Sequence, residues 1–235
     1  MLLGSPPDMV HGSPSYRPIR SHIPRQINPL AYIAVLTATI LYHFIVEITR
    51  AKCYNDVKFT NWGVFSMIRK SEFKDTERVV EIYELAKAGM RDMGIDQWQD
   101  GYPSEDIIAE DITRGIGYVA CALDNTVLGY EAVVFTGEEA YSQLPDEAWH
   151  TPSDYVVVHR LCVDGNSRRR GIAIELMNFA REEALRRNIT AFRIDTHKGN
   201  TRMLSLLHKL GFEHVGVVRY DSGEREAFDI NLNIK

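Results

Sequence analysis

Residues 155–180 constrain the fold of this chain more than any other stretch. The apolar run Tyr155–Val158 begins a predicted strand that continues through His159 and Arg160 to Val163, and a polar turn and three consecutive arginines follow it. Apolar residues then recur at helical spacing from Ile172 onward, directly after Gly171. The stretch therefore predicts a strand, a turn and a helix that opens on a glycine.

The start of this helix is predicted to bind an anion. The first backbone N–H groups of a helix have no partner within it, and they carry the positive end of its dipole. Gly171 permits close approach of a ligand, and Arg168, Arg169 and Arg170 present planar guanidinium groups suited to phosphate. The sequence has neither a P-loop nor the three spaced glycines of a dinucleotide fold. A phosphate-bearing ligand of another kind is predicted, and the alternative is a solvated basic turn before an ordinary helix.

Two stretches resemble motifs of the GNAT superfamily of acyl-CoA-dependent N-acyltransferases. Residues 168–173 resemble its R-x-x-G-x-G/A signature, and residues 200–212 resemble its second motif, where an asparagine lies near the pantetheine arm. The resemblance implies that acetyl-CoA is the co-substrate and that no metal is needed. It also implies a set of coenzyme-binding residues: Leu161, Cys162, Val163, Arg168, Arg169, Arg170, Gly171, Ile172, Ala173, Asn200 and Met203.

One departure from the family concerns the acid that protonates the leaving thiolate. Many members carry a tyrosine four residues before the glycine that ends the second-motif helix, which here is Gly211. The corresponding residue in this chain is Leu207. The resemblance therefore supplies no tyrosine acid, and a catalytically silent acyl-CoA-binding regulatory module remains an alternative function.

Over residues 65–235 the predicted elements are, in order, a strand, two helices, three strands, a helix, a strand, a helix and two strands. This order is the same as that of the α/β GNAT fold. Strands and helices alternate in the second half, which indicates layers of helices on a sheet. We expect a mixed central sheet of about seven strands flanked by about four helices, with an N-terminal extension. The alternation of Phe228 and Ile230 with Asp229 and Asn231 predicts a half-buried strand near the C-terminus.

Four short stretches resemble, more narrowly, a group of small bacterial acetyltransferases within the superfamily. They are residues 96–99 (Asp-Gln-Trp-Gln), 101–103 (Gly-Tyr-Pro), 159–160 (His-Arg) and 193–197 (Arg-Ile-Asp-Thr-His). This group as a whole implies no particular acceptor.

His159 is the first candidate for the catalytic base. Acyl transfer to an amine needs a group that titrates near neutrality to collect the amine proton, and imidazole does so. The position of His159 resembles that of a histidine in the aralkylamine N-acetyltransferases, and the alternative is a histidine hydrogen-bonded within the sheet. Strand alternation predicts that His159, Leu161 and Val163 share a face and that Cys162 is buried on the other.

Further candidate site residues lie on the next strand and in loops. Asp195 and His197 are predicted either to line the catalytic cleft or to hold the turn after that strand. Trp98 and Tyr102 belong to a loop that covers the acceptor in this superfamily, although loop aromatics also pack on cores. Arg225 is predicted to bind an acceptor carboxylate or to be solvated. The predicted reaction is direct acetyl transfer, in a ternary complex, to a primary amine of a small molecule, an amino acid or a peptide.

Composition limits the partners and the compartment. The chain has 235 residues and a net charge of −5 at pH 7, which argues against nucleic acid as the principal partner. The three cysteines, at positions 53, 121 and 162, are too few and too scattered for a disulfide framework or a metal site. A cytoplasmic catalytic domain is the simplest interpretation, and a homodimer is compatible with the sequence.

The N-terminal part differs in composition from the rest. Residues 1–28 are rich in proline and serine and are predicted to be disordered. Residues 29–66 are predicted to form an apolar helix and a linker, with Leu30 to Val46 as a candidate membrane anchor. The alternative is an upstream extension outside the functional protein. Residues 67–235 are predicted to be the acetyltransferase domain.

Overall fold

The computed structural model of the protein describes residues 57–59, 65–151 and 153–233, with only the backbone described at 57–59, 65 and 66. All of these residues belong to one compact unit, Arg50–Lys235. The predicted disordered segment 1–28 and the apolar stretch Leu30 to Val46 lie outside the described residues. Within the described part of the chain, no helix has both the length and the apolar character needed to span a bilayer.

The described residues form a mixed sheet of eight strands, in the order β1-β2-β3-β4-β5-β6-β8-β7, with four helices. From β2 onward the elements follow the predicted order. About seven strands were predicted, and the additional one, β1, lies in the stretch 29–66 that was predicted as helix and linker. Neighbouring strands are antiparallel except for β5 and β6. In chain order the elements are β1 Val57–Phe59, β2 Phe65–Lys70, α1 Thr76–Asp92, α2 Glu105–Arg114, β3 Gly117–Cys121, β4 Val127–Val134, β5 Tyr155–Val163, α3 Ile172–Arg186, β6 Ala191–Thr196, α4 Thr201–Leu210, β7 Glu213–Tyr220 and β8 Gly223–Asn231.

Capping residues define the ends of α2 and α4. The Ser104 side chain accepts a hydrogen bond from the backbone N–H of Ile107, and α2 ends at Gly115, which has a left-handed backbone. The side chain of Asn200 accepts from the N–H of Met203, and α4 ends at left-handed Gly211. These boundaries are local consequences of the sequence, since each cap satisfies backbone groups that the helix leaves unpaired.

Three apolar clusters cover the two faces of the sheet. Helices α3 and α4 pack on one face, where fully buried Leu176, Phe192 and Leu207 belong to one cluster. Helices α1 and α2 cover β3 to β5 on the opposite face. Beside them, the segment between β4 and β5 covers the C-terminal half of the sheet with Tyr141 and Trp149. Each fully buried large side chain stabilises the fold by roughly 1.5–3 kcal/mol relative to exposure.

Strand β8 is buried on both faces, whereas a half-buried strand was predicted. Phe228 and Ile230 pack against the cluster under α3 and α4, as their alternation suggested. The opposite face is also covered, because Ala227 and Asp229 are fully buried beneath the segment between β4 and β5. Asp229 accepts hydrogen bonds from the backbone N–H and the Nδ1 atom of His150, and these bonds fasten that segment to the strand.

A β-bulge at Arg160 changes which side chains of β5 share a face. His159 pairs with Ala132 and Cys162 pairs with Tyr130, so three steps along β5 match two steps along β4. The extra residue, Arg160, has φ 59°. As a result His159 and Cys162 lie on the same face, and Leu161 packs on the opposite one with Val163. The prediction that His159 shares a face with Leu161 and Val163 is therefore wrong.

Strands β5 and β6 separate soon after they begin to pair. Their pairing covers Tyr155 to Val157 on β5 and Ala191 to Arg193 on β6. Beyond this point β6 continues to pair with β8 only. The separation leaves one edge of the second half of β5 facing a gap in the middle of the sheet.

Candidate active site

A cavity of about 640 Å³ lies where β5 and β6 separate. Its walls come from both strands, from the loop between α1 and α2, from the start of α4 and from the turn between β7 and β8. The cavity brings together eight of the residues predicted from sequence: Trp98, Tyr102, His159, Leu161, Asp195, Asn200, Met203 and Arg225.

The cavity has two chemically different sides. Of the predicted coenzyme-binding residues, Leu161, Val163, Ile172 and Met203 pack with the apolar cluster under α3 and α4. The side chain of Cys162 lies on the opposite face, because the bulge at Arg160 reverses the alternation of β5. His159 belongs to the opposite face of the sheet, and Asp195 contacts Tyr141 from the segment that covers that face. The gap between the strands therefore connects a face suited to the coenzyme with a face that carries titratable side chains.

The turn before α3 presents the geometry expected of an anion site. Gly171 has φ 85°, and a Cβ atom built there would have no neighbour within 4 Å. Arg168, Arg169 and Arg170 are exposed around it, whereas Ile172 is buried and anchors the first turn of the helix. The N-terminus of α3 thus opens on free space at Gly171, directly after three exposed arginines, and these residues fit a pyrophosphate group.

Two arginines converge on the C-terminal part of α1, at Gly89. A guanidinium nitrogen of Arg168 and one of Arg202 would lie 3.9 and 3.8 Å from a Cβ atom at Gly89. Neither forms an ion pair with a carboxylate of the described residues. Arg202 was not among the predicted site residues, because an isolated arginine in the first turn of α4 carries no motif.

His159 is paired with a carboxylate that sequence reasoning missed. Its Nε2 atom lies 3.2 Å from Oε2 of Glu138, and each side chain is 20% exposed. The hydrogen bond to His159 lowers the pKa of Glu138, so the carboxylate is ionised. The other oxygen of Glu138 accepts from the N–H of Ala140, which fixes the carboxylate in place. No local pattern marks Glu138, since it lies in an acidic loop that is distant from His159 in sequence.

Asp195 is held at the rear of the cavity by two phenols. The hydroxyl groups of Tyr141 and Tyr220 donate to its Oδ2 atom at 3.0 and 2.9 Å. Burial raises the pKa of Asp195, and the nearby charge of His159 partly offsets this effect. Because its Oδ2 atom already accepts two hydrogen bonds, Asp195 holds the Tyr141 and Tyr220 hydroxyls in place beside the cavity.

His197 lies outside the cavity wall. Its Nδ1 atom accepts a hydrogen bond from the backbone N–H of Gly199 at 3.0 Å, and its Nε2 atom is 3.6 Å from Asp96. The structure therefore agrees with the alternative that His197 holds the turn after β6.

The bulge residue Arg160 lies at the centre of a buried polar network. Its Nε and Nη2 atoms donate to both oxygens of Asp111 at 2.9 and 2.6 Å, and its Nη1 atom donates to the Tyr102 hydroxyl at 2.7 Å. The hydroxyls of Tyr83 and Tyr130 donate to the Arg160 carbonyl and to Asp111. Arg160 and Asp111 were not predicted as site residues, because the residues of this network come from different elements of the chain.

Arg225 and Trp98 both line the cavity and also pack into the fold. Arg225 is only 4% exposed, so it is not a solvated residue, and it donates to the carbonyls of Ser222 and Glu224 and to the Ser222 hydroxyl. Trp98 packs edge-on against Tyr83 with ring centroids 5.6 Å apart. Each residue can therefore contact an acceptor while serving a structural role.

Comparison with known proteins gives a consistent family. The model of the acetyltransferase (GNAT) family matches residues 78–212. A GNAT-family acetyltransferase structure from Streptococcus agalactiae is 30% identical and has a TM-score of 0.66, with 75% of this chain and 98% of that chain covered. The PaiA N-acetyltransferase of Thermoplasma acidophilum, solved in complex with coenzyme A, shares the fold at 18% identity and a TM-score of 0.53, covering 71% of this chain and 98% of that chain.

A curated plant protein is similar over a shorter stretch. The chloroplastic GCN5-related N-acetyltransferase 6 of Arabidopsis thaliana is 30% identical over 95 residues. The match covers 40% of this chain and 33% of the plant protein. The chain therefore aligns with about a third of the length of that relative.

Proposed function

Since the chain belongs to the GNAT family of acetyltransferases, we propose that it transfers the acetyl group of acetyl-CoA to a primary amine of a small molecule, an amino acid or a peptide. The observation that carries the proposal is the cavity between β5 and β6. The His159–Glu138 pair lies on one side of it, and the predicted coenzyme-binding residues of α4 lie on the other. A site of this form can hold a thioester and an amine at the same time.

On the coenzyme side, backbone groups and cations provide the binding. The open N-terminus of α3 at Gly171, with Arg168 to Arg170, suits the pyrophosphate. Asn200 and Met203 line the cavity where the pantetheine arm would lie. The N–H groups of β5 that point into the gap can donate to the thioester oxygen as it becomes an oxyanion.

On the acceptor side, the imidazole of His159 collects the amine proton. The Glu138 carboxylate, 3.2 Å away, orients the ring and stabilises the imidazolium that forms. A neutral amine can then attack the thioester carbon, which an ammonium group cannot do.

Direct transfer in a ternary complex is supported by the state of the two described cysteines, Cys121 and Cys162. Burial raises the pKa of Cys162 to about 12 and that of Cys121 to about 11. Thiols with these pKa values hold almost no thiolate at neutral pH, and the thiolate is the nucleophilic form. Neither cysteine is therefore suited to carry an acetyl intermediate.

The experiment that tests the proposal is a coenzyme A release assay with acetyl-CoA and a panel of amines, amino acids and peptides. We expect thiol release that depends on the added acceptor, with the N-acetylated product identified by mass spectrometry. Tight binding of coenzyme A without turnover on any acceptor would favour the silent acyl-CoA-binding module. The specific observation behind that alternative is Leu207, which is fully buried where a tyrosine acid would be expected.

A further inference from the structure

We propose that Tyr102, held by Arg160, is the general acid that protonates the thiolate of coenzyme A as it leaves. This inference rests on the proposed acetyl transfer. It assigns the acid from a different element, since Leu207, at the usual tyrosine position, lies in the core beneath α4 and contributes no proton.

The direction of the hydrogen bond between Arg160 and Tyr102 is the first argument. A guanidinium group only donates, so the phenolic oxygen is the acceptor at 2.7 Å from Nη1. The Tyr102 hydroxyl therefore keeps its own proton available, and no described residue accepts it. Tyr102 lines the cavity, so this proton can be given to a ligand bound there.

The hydroxyl groups of the other tyrosines of the site already donate hydrogen bonds to protein acceptors. Tyr220, the second tyrosine among the described residues that line the cavity, donates to Asp195. Tyr83 and Tyr130, behind Arg160, donate to its carbonyl oxygen and to Asp111. Tyr102 thus differs from its neighbours in accepting from a cation.

The surroundings of Arg160 limit the cost of losing that proton. The Asp111 carboxylate is 2% exposed and binds two nitrogens of the guanidinium group, which fixes the third nitrogen against Tyr102. Burial raises the pKa of Tyr102, while the adjacent charge of Arg160 opposes that rise. The phenol is therefore protonated at neutral pH, and the phenolate formed on proton transfer has a cation in contact with it.

Two consecutive residues of β5 position the proposed base and the proposed acid. His159 presents the imidazole directly, whereas Arg160, the bulge residue, presents the Tyr102 hydroxyl through its guanidinium group. The bulge turns both side chains to the same side of the sheet. The thioester would therefore have an acceptor for the amine proton and a donor for the sulfur on one side.

The proposed step conserves protons and electrons. The amine nitrogen, having given one proton to His159, forms the C–N bond, and the carbonyl π electrons move to oxygen. When the intermediate collapses, the C–S bond breaks, its electron pair stays on sulfur, and sulfur takes the Tyr102 proton. The second proton of the amine nitrogen passes through solvent to the phenolate. The proton taken by His159 is released to solvent.

The test is the pH dependence of turnover in Tyr102→Phe. With an acceptor that the wild-type protein acetylates, we expect kcat to fall by about 10²–10⁴-fold, a typical loss for a general acid. We expect the KM for the amine and the Kd for coenzyme A to change little, and the alkaline limb of the kcat profile to disappear. Tyr220→Phe removes a hydroxyl from the same cavity and is expected to retain the alkaline limb.

A second variant covers the case in which Tyr102→Phe does not fold. Tyr102→3-fluorotyrosine keeps the hydroxyl but makes it more acidic, so the alkaline limb should move to lower pH. An unchanged limb in this variant, or a Tyr102→Phe protein that loses only amine affinity, would overturn the assignment while leaving the proposed function intact. A wild-type protein that turns over no acceptor would overturn both.

Discussion

The Nε2 atom of His159 and the Oε2 atom of Glu138 lie 3.2 Å apart on the acceptor side of the cavity. The other oxygen of Glu138 accepts a hydrogen bond from the N–H of Ala140. The carboxylate is therefore fixed and determines the orientation of the imidazole. A histidine fixed in this way can receive a proton from an amine that enters between β5 and β6.

The first prediction concerns the role of this pair in turnover. His159→Gln retains hydrogen-bonding capacity but cannot titrate near neutrality, so kcat should fall by about 10²–10⁴-fold, or roughly 3–5 kcal/mol in barrier. The acid limb of the pH profile should flatten. Glu138→Gln is expected to cause a smaller fall, because the imidazole remains. A His159→Gln protein with near-normal kcat and an unchanged acid limb would show that His159 is structural.

The second prediction concerns coenzyme binding at Gly171. Valine there would strain a backbone with φ 85° and would place a branched side chain in the open space before α3. Calorimetric titration should show severe loss of coenzyme A affinity. Gly94→Val is a matched control, because Gly94 has φ 70° and also has nothing near its Cβ position. A folded Gly171→Val protein that binds coenzyme A as tightly as the wild type would show that the pyrophosphate does not bind at this turn.

The parts of the fold that were predictable are those set by local sequence. Ser104, Gly115, Asn200 and Gly211 define helix ends through bonds within a few residues, and the predicted end of the second-motif helix at Gly211 agrees with the structure. The bulge at Arg160 was not predictable in this way. A left-handed arginine has no sequence signature, and the bulge is stabilised by contacts with α1, α2 and β4.

The residues of the candidate site also fall into two groups, those predictable from local sequence and those brought together only by the fold. The turn at Gly171 and the cap at Asn200 belong to contiguous motifs, so the coenzyme side could be predicted. Glu138 and Asp111 reach the acceptor side from loops and helices far away in the chain, and only the folded sheet brings them to His159 and Arg160. Predictions from strand alternation failed there because one inserted residue exchanges the two faces of β5.

The third prediction concerns Glu131, a buried carboxyl group in the middle of β4. It is fully buried, and neither oxygen has a hydrogen-bond partner among the described residues. Burial raises its pKa well above the ordinary value for glutamate. The group is therefore neutral in the folded protein and ionised in the unfolded chain at neutral pH.

The sign of the resulting pH effect follows from this difference. The unfolded state loses the proton above about pH 4.5 while the folded state keeps it, so the free energy of unfolding decreases as pH rises toward the folded pKa, by at most about 1.4 kcal/mol per pH unit. Urea unfolding of the wild type between pH 5 and pH 8 should show this decrease. Glu131→Gln should reduce the slope, and an equal slope in both proteins would contradict the prediction.

The last prediction is that residues 67–235 fold and retain acetyl transfer, with residues 1–66 unnecessary for the reaction. The part of β2 that remains after truncation at Met67 contains Ile68, which belongs to the main cluster, and Arg69, which pairs with Asp75 at 2.7 Å. Among the described strands, the removed strand Val57–Phe59 pairs with β2 alone, at the edge of the sheet. We therefore expect kcat to be retained and the melting temperature to fall modestly.

The matched control is residues 57–235, which keeps the edge strand and should melt at the higher temperature. An insoluble or inactive 67–235 protein beside an active 57–235 protein would show that β1 is required, and inactivity of both would show that residues before Val57 contribute to the domain.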